Sequence, residues 1–231
     1  MTEPRVALVT GAGTRLGYAI AEGLAHEGFA LGLHYNSSAK GAEELARKIR
    51  EAGGQAAPVQ QDLSTSEKAG ELIGKTASAL GQPVSVLVNS ASAFDTDSLA
   101  TLTSETWRKL LDVNVAAPVF LMQAFAGQDP APATGAIVNI LDTQLTSASP
   151  ERFSYFCGKF ALDGATRLAA MELAPRGVRV NAIAPGLVLQ SAQTREEFEQ
   201  RQALTPLGPG LGPEHIVDAV RYLVRAQHVT G

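Results

Sequence analysis

The chain has 231 residues, of which 45% are hydrophobic and 18% charged, and it contains 22 glycines, a composition typical of a folded globular protein. Its formal charge of −4 and the lack of a lysine or arginine cluster give no electrostatic basis for binding nucleic acid or an anionic membrane. We therefore expect one domain that acts on a small molecule.

The cysteine content and the apolar pattern suit a cytoplasmic protein. Cys157 is the only cysteine and cannot form an intramolecular disulfide, as expected in a reducing compartment. We identify no apolar run that approaches the roughly 18 residues needed to span a bilayer, and no signal peptide. We also predict no metal site.

Short apolar runs alternate along the chain with longer segments of helical period, as in βαβ units. The predicted strands are Arg5–Thr10, Ala30–Tyr35, Ala56–Gln61, Val84–Asn89, Ala136–Leu141 and Val178–Ile183. The predicted helices are Thr14–Glu27, Ala39–Ala52, Ser66–Leu80, Ser104 (as N-cap) to about Ala126, and one that follows Tyr155. This order predicts an α/β fold with one doubly wound, mostly parallel Rossmann-type sheet, in a single domain over residues 1–231.

The segment Gly186–Pro213 interrupts the alternation with a short polar helix, Thr194–Ala203, among prolines and glycines. It follows the carboxyl end of a strand, where ligands bind to α/β sheets. We interpret it as a substrate lid, with a surface excursion without function as the alternative.

A glycine-rich stretch, Thr10-Gly11-Ala12-Gly13-Thr14-Arg15-Leu16-Gly17, follows the first strand and opens a helix. Glycines allow the backbone to turn tightly and approach a pyrophosphate, and the helix N-terminus offers free N–H groups. The stretch predicts a nucleotide site, and its members are Gly11, Thr14, Arg15, Leu16 and Gly17.

The spacing resembles the TGxxxGxG motif of the short-chain dehydrogenase/reductase family, with Arg15 in place of the middle glycine. Further similarities follow in chain order at Asp62-Leu63, Asn89-Ser90-Ala91-Ser92, Asn114, Tyr155-Phe-Cys-Gly-Lys159 and Asn181-Ala-Ile-Ala-Pro185-Gly186. The resemblance implies a nicotinamide nucleotide bound by Asp62, Leu63, Asn89, Ser90, Ala91, Tyr155, Lys159, Pro185 and Gly186. The family normally continues into one more strand after the position of Gly231, so either the sequence stops short of it or the last sheet edge is unusual.

The end of the second strand indicates NADP(H). NAD enzymes place a carboxylate there to bind the ribose 2′-hydroxyl, whereas the segment here is His34-Tyr35-Asn36-Ser37-Ser38, with no acid before Glu43. Arg15 offers a guanidinium to a 2′-phosphate.

Tyr155 and Lys159 are four residues apart and should share one face of a helix. A nearby ammonium is expected to lower the pKa of a tyrosine, which is otherwise a poor base and a slow acid at neutral pH. The family resemblance implies that Tyr155 exchanges the proton, that Lys159 also holds the nicotinamide ribose, and that Asn114 supports a proton-relay water.

Asp142 stands thirteen residues before Tyr155, where most family members have a serine. A carboxyl group that can accept or donate a proton suits nitrogen chemistry better than it suits a developing alkoxide. Asp142, Arg15, the run Leu33-His34-Tyr35 and Phe94 together resemble pteridine reductases and dihydromonapterin reductases. This implies that Phe94 stacks a pterin on the nicotinamide, with Asp142, Tyr155 and Leu187 beside the substrate.

The predicted function is therefore NADPH-dependent reduction of a dihydropterin to a tetrahydropterin, with protons delivered by Tyr155 and Asp142. One alternative is a 3-oxoacyl or similar ketone reductase that uses Thr143 for the missing serine hydroxyl. Another is a non-catalytic NADPH-sensing protein. The resemblance and the alanine-rich helices after Ser104 and Tyr155 also imply a homotetramer.

Overall fold

The computed structural model describes residues 5–132, 134–190, 194–209 and 211–231. Six parallel strands form one sheet in the order β3-β2-β1-β4-β5-β6. The strands are Val6–Val9 (β1), Ala30–Tyr35 (β2), Ala56–Gln60 (β3), Val84–Asn89 (β4), Gly135–Ile140 (β5) and Val178–Ile183 (β6). The helices are Arg15–His26 (α1), Ala39–Glu51 (α2), Glu71–Leu80 (α3), Ser104–Leu111 (α4), Ala117–Ala126 (α5), Phe153–Leu173 (α6), Arg195–Ala203 (α7) and Pro213–Arg225 (α8). The predicted α/β fold is confirmed.

Helices cover both faces of the sheet. Because alternate residues of a strand point to opposite faces, each strand contributes side chains to two cores. In β1, Ala7 and Val9 join a core formed with α1, α2 and α8. Val6 and Leu8 join a second core formed with α3, α5 and α6. A strand buried on both faces is apolar throughout, which explains why β1 could be identified from sequence.

The helix predicted from Ser104 to Ala126 is not continuous. Thr103, rather than Ser104, is the N-cap of α4, and its hydroxyl accepts a 3.1 Å hydrogen bond from the Thr106 N–H. Between α4 and α5 the backbone forms a π-helical segment, Asp112–Ala116, of the kind that is frequent at functional sites. The segment carries Asn114.

By length and mean hydropathy alone the helical run Ser104–Ala126 could cross a membrane, a candidate that the sequence analysis did not identify. In this fold the run comprises α4, the π-helical segment and α5, which pack against the sheet and against α6. Leu121 and Phe125 are fully or almost fully buried in the second core.

The C-terminal part of the chain differs from the sequence prediction in one element. Helix α8 was not predicted, although Val217, Val220 and Val224 form its buried stripe. Residues 229–231 then run beside β6, where the Gly231 N–H donates to the Val180 carbonyl at 2.9 Å. Within the segment interpreted as a lid, residues 191–193 and 210 lie outside the described residues.

The sheet order reverses at β1, which lies between β2 and β4. The loops that follow β1 and β4 meet there, because the Thr10 hydroxyl oxygen accepts hydrogen bonds from the N–H groups of Ser90 and Ala91 at 2.9 and 3.0 Å. In open α/β sheets this switch point is where ligands bind.

Candidate active site

Two adjoining cavities open at the carboxyl edge of the sheet. The first, which we call the loop cavity, has a volume of about 780 Å³ and is lined by the glycine-rich loop. The second, the tyrosine cavity, has a volume of about 490 Å³ and contains Tyr155. Both are lined by Arg15, Leu16, Ser90 and Ser92, so they form one continuous cleft.

The glycine-rich loop has a geometry that side chains would obstruct. Gly11 has φ +70°, a left-handed conformation that favours glycine. A Cβ on Gly17 would lie 2.3 Å from the Gly11 carbonyl oxygen. The N-cap Thr14 makes no side-chain cap bond, and the first turn of α1 contains no acid. The helix therefore presents free N–H groups and its positive dipole end to an anion.

Arg15 has a left-handed backbone conformation, with φ +54°. Among the described residues it is the one non-glycine with positive φ, a state that costs on the order of 1 kcal/mol. Its side chain lines both cavities. Arg15 thus reaches the catalytic end of the cleft, which was not predicted when it was assigned to the 2′-phosphate.

His34 lies inside the fold and positions the loop. Its Nδ1 accepts the Gly11 N–H at 3.0 Å, and its Nε2 is 3.0 Å from the Gln61 carbonyl oxygen, to which it donates in this tautomer. Burial lowers the pKa of His34 to about 4, so the ring is neutral at neutral pH. His34 lines the loop cavity, but both ring nitrogens make hydrogen bonds within the fold, so its ring positions the loop and is not free to bind a phosphate.

The end of β2 borders the loop cavity through Asn36, Ser37 and Ser38. Ser38 is the N-cap of α2, with no side-chain cap bond and no acid in the first turn that follows. Tyr35 is half-buried and does not line the cavity. This wall carries hydroxyl, amide and backbone N–H groups that suit a phosphate.

In the tyrosine cavity, Tyr155 and Asp142 are directly hydrogen-bonded. The Tyr155 hydroxyl donates to Asp142 Oδ2 at 2.9 Å, and Asp142 Oδ1 accepts the Gln144 N–H at 2.8 Å. Asp142 also caps the 3₁₀ turn Thr143–Thr146, which fixes its carboxylate after β5. Lys159 Nζ donates to the Ile140 carbonyl at 2.8 Å and lies 5.7 Å from the centre of the Tyr155 ring.

The pKa of Tyr155 moves in the direction opposite to the sequence prediction. Burial first, and then the charge and hydrogen bond of Asp142, raise it above the ordinary value for tyrosine. Desolvation meanwhile lowers the pKa of Lys159 to about 8, although Asp142 opposes this change. Tyr155 is therefore held as a protonated phenol, and its chemistry in this state is that of a proton donor.

Phe94 stands beside the tyrosine on the wall of the cavity. Its ring makes an edge contact with Tyr155 at 5.1 Å between centroids, and 48% of its surface is exposed. The Arg152 guanidinium lies over the Phe94 ring at 4.6 Å. Arg152, the N-cap residue of α6, was missed in the sequence analysis.

Two predicted asparagines are interior. Asn114 is fully buried, and its Oδ1 accepts from the Ser92 hydroxyl and the Ala93 N–H while its Nδ2 donates to the Ala93 carbonyl. Asn89 donates to Asn139 Oδ1 at 2.8 Å and does not line either cavity. Asn114 therefore holds the loop after β4, and Asn89 links the ends of β4 and β5.

The remaining predicted residues lie at the cleft. Those on the loop cavity are Gly11, Thr14, Leu16, Gly17, Asp62, Leu63, Ser90 and Ala91, and those on the tyrosine cavity are Pro185, Gly186 and Leu187. Sequence analysis missed several other residues of the walls, among them Ser64, Lys109, Asp112, Gln144, Arg201 and Thr205. They come from loops and helices that only the fold brings to the cleft.

The family model of the short chain dehydrogenases matches residues 5–202. An uncharacterized oxidoreductase from Methylorubrum extorquens is 34% identical, over 99% of this chain and 94% of that protein. A 3-oxoacyl-[acyl-carrier-protein] reductase from Synechocystis is 30% identical, over 98% of this chain and 93% of that protein.

Two solved structures have closely similar folds. FolM alternative dihydrofolate reductase 1 from Brucella canis, in complex with NADP, is 36% identical with a TM-score of 0.92, over 100% of this chain and 91% of that one. The Brucella suis protein of the same name, also with NADP, is 36% identical with a TM-score of 0.93, over 100% of this chain and 92% of that one.

Proposed function

The chain belongs to the short-chain dehydrogenase family, as the sequence predicted, and from this premise we propose that it is an NADPH-dependent reductase that takes a dihydropterin to a tetrahydropterin. The observation that carries the proposal is the 2.9 Å hydrogen bond from Tyr155 to Asp142. A ketone reductase needs a neutral hydrogen-bond donor to the carbonyl oxygen at the position of Asp142, and an ionised carboxylate cannot donate. A substrate whose ring nitrogen must be protonated benefits from a carboxyl group next to the tyrosine.

The cleft fits NADP(H), the nucleotide bound by both similar Brucella structures. The Gly11 turn and the open first turn of α1 would hold the pyrophosphate, and Ser37, Ser38 and the start of α2 would hold the 2′-phosphate. Lys159 would hold the nicotinamide ribose. When bound, the nucleotide supplies the hydride.

The protein residues would supply the proton in two linked steps. Tyr155 gives its hydroxyl proton to the product nitrogen, and a phenolate left beside an ionised Asp142 would be strongly disfavoured. In the proposed step Asp142 first takes up a proton from solvent and then passes it to Tyr155 across the same hydrogen bond, so the pair ends with an ionised carboxylate and a neutral tyrosine. One proton has then moved from Asp142 to the substrate.

The flat ring of the substrate would be oriented by Phe94. The ring of Phe94 is exposed to the tyrosine cavity and is fixed by its edge contact with Tyr155. Stacking on an aromatic ring contributes on the order of 1 kcal/mol beyond burial and holds the acceptor carbon in place. Leu187 would close the opposite apolar wall.

The second candidate function is reduction of a ketone, which the similarity to 3-oxoacyl-[acyl-carrier-protein] reductases favours. Its hydroxyl donor would be Thr143. However, the Thr143 hydroxyl donates to the Pro185 carbonyl at 3.2 Å, so its proton is already engaged. A non-catalytic role for the chain is disfavoured by the intact arrangement of Tyr155, Lys159 and Asn114.

We also propose a homotetramer built on α5 and α6. Helix α6 exposes three large apolar side chains, Phe160, Leu168 and Met171, at 49%, 69% and 76%, and α5 exposes Val119 at 38%. Apolar side chains on adjoining helices are typical of a surface that a second copy covers.

Oxidation of NADPH, followed at steady state with dihydropterins, dihydrofolate and simple ketones, tests the proposed function. We expect turnover with the reduced pterins and little or none with ketones. Turnover with ketones alone would favour the second candidate.

A further inference from the structure

The tyrosine cavity carries more positive than negative charge. Among the described residues that line it, the cations are Arg15, Arg152, Lys159 and Arg201, and Asp142 is the single carboxylate. Lys159 is bound to a backbone carbonyl, and Arg15 lies at the junction where nucleotide phosphates would neutralise it. Arg152 and Arg201 remain for another anion.

Arg152 is placed by the aromatic wall. Its guanidinium lies over the Phe94 ring at 4.6 Å, and in the part of the chain that the structure describes no carboxylate forms an ion pair with it. A guanidinium that stacks by its face keeps its N–H edge free, and this edge binds carboxylate and phosphate oxygens in pairs. Arg152 therefore offers an anion site next to the ring that would stack the pterin.

Arg201 is placed by the anchoring of α7. Gln202 is buried, and its side-chain amide donates to the carbonyls of Leu187 and Leu211, both at 2.8 Å. These bonds hold the end of α7 over the tyrosine cavity, so that Arg201 lines it without an ion pair to any described residue.

A second arginine on α7 differs from Arg201 in its ion pairing and its position. Arg195, at the start of α7, forms a 2.8 Å ion pair with Glu199, and 85% of its side chain is exposed. It does not line the cavity. One helix thus carries a neutralised surface arginine at one end and an unneutralised cavity arginine at the other.

We propose that the substrate pterin carries an anionic side chain and that Arg152 and Arg201 bind it. The inference rests on the proposed function and deepens it. Carboxylates at the end of the side chain and a phosphate ester on it share this chemistry, because both present paired oxygens to a guanidinium. The two arginines would then determine which pterins are turned over efficiently.

The test compares three dihydropterins that differ in their side chains: a neutral hydroxyalkyl group, its phosphate monoester, and a conjugate that ends in carboxylates. We expect at least one anionic pterin to exceed the neutral one in kcat/KM by about tenfold, the effect of about 1.4 kcal/mol. R152Q and R201Q should each lower this ratio, and the double variant should bring it to about one. Added salt should lower it in the unmodified protein.

R195Q is the matched control and should keep the unmodified ratio, since it removes the same charge from the same helix outside the cavity. Because Arg201 is exposed on the surface of α7, R201Q tests the proposal even if R152Q does not fold. A ratio near one in the unmodified protein, or an unmodified ratio in R201Q, would overturn the proposal. In either case, turnover of the neutral pterin would leave the proposed function standing. Reduction of ketones with no pterin reduced would overturn both.

Discussion

The Tyr155 hydroxyl donates a hydrogen bond of 2.9 Å to the Asp142 carboxylate, although the two residues lie on different elements, one on α6 and the other after β5. The bond places the phenol proton beside Asp142, the group that would return a proton to Tyr155 after the transfer. Burial first, and then the charge of Asp142 and this bond, raise the pKa of Tyr155. The proposed function assigns proton donation to Tyr155 and its resupply to Asp142.

Replacing Tyr155 with phenylalanine should remove most turnover, by about 100-fold or more, because the general acid is lost. Binding of NADPH should change little, since the hydroxyl acts on the substrate. Lys159→Ala should impair both, because the ammonium is also expected to hold the ribose. Single-turnover rates and fluorescence titration of NADPH separate the two effects. If Tyr155→Phe keeps a near-normal rate, another group must donate the proton.

NADPH should bind at least tenfold better than NADH, a difference of about 1.4 kcal/mol that one charge-assisted phosphate contact can provide. Ser37→Asp should abolish the preference by repelling the 2′-phosphate at the end of β2. Arg15→Ala should weaken both nucleotides, because Arg15 lines the catalytic end of the cleft as well. Calorimetric titration of each variant with both nucleotides measures this. Equal affinities in the unmodified protein would refute the assignment.

Acid should weaken the fold through His34. Its pKa is about 4 in the folded chain against the ordinary histidine value of 6.5, so the unfolded chain binds more protons between these values. Stability is therefore lost as the pH falls from 6.5 to 4, by on the order of 3 kcal/mol from this group. Urea unfolding at pH 7 and about pH 4.5 should show a larger loss for the unmodified protein than for His34→Gln. Equal losses would show that His34 does not titrate as proposed.

The exposed apolar side chains of α6 predict self-association. Light scattering at micromolar concentration should give the mass of a tetramer, and Leu168→Glu with Met171→Glu should lower it by placing charges on that face. Leu207→Glu, which changes an exposed apolar side chain away from these helices, is the control. A monomer mass for the unmodified protein would contradict this part of the proposal.

Much of the fold was predictable because its signals are local. The apolar runs of the six strands and the glycines after β1 report burial and turn geometry directly. The π-helical segment at Asp112–Ala116 was not predictable, because it depends on the bonds of Asn114 to the loop after β4. The pKa direction of Tyr155 was predicted wrongly for a similar reason: sequence spacing shows Lys159 nearby but not the burial of the ring or the contact with Asp142.

The role of Asp142 is tested most directly by the rate of NADPH oxidation with a dihydropterin in the unmodified protein and in Asp142→Ser. Serine restores the residue that most of the family has at this position but removes the carboxyl group that would resupply the proton. Asp142→Asn is the matched control for folding, because an amide oxygen can still accept the Gln144 N–H. We predict that the unmodified protein reduces the dihydropterin and that Asp142→Ser lowers kcat by about 100-fold. Unimpaired pterin reduction by Asp142→Ser, or reduction of ketones but no pterin by the unmodified protein, would contradict the account.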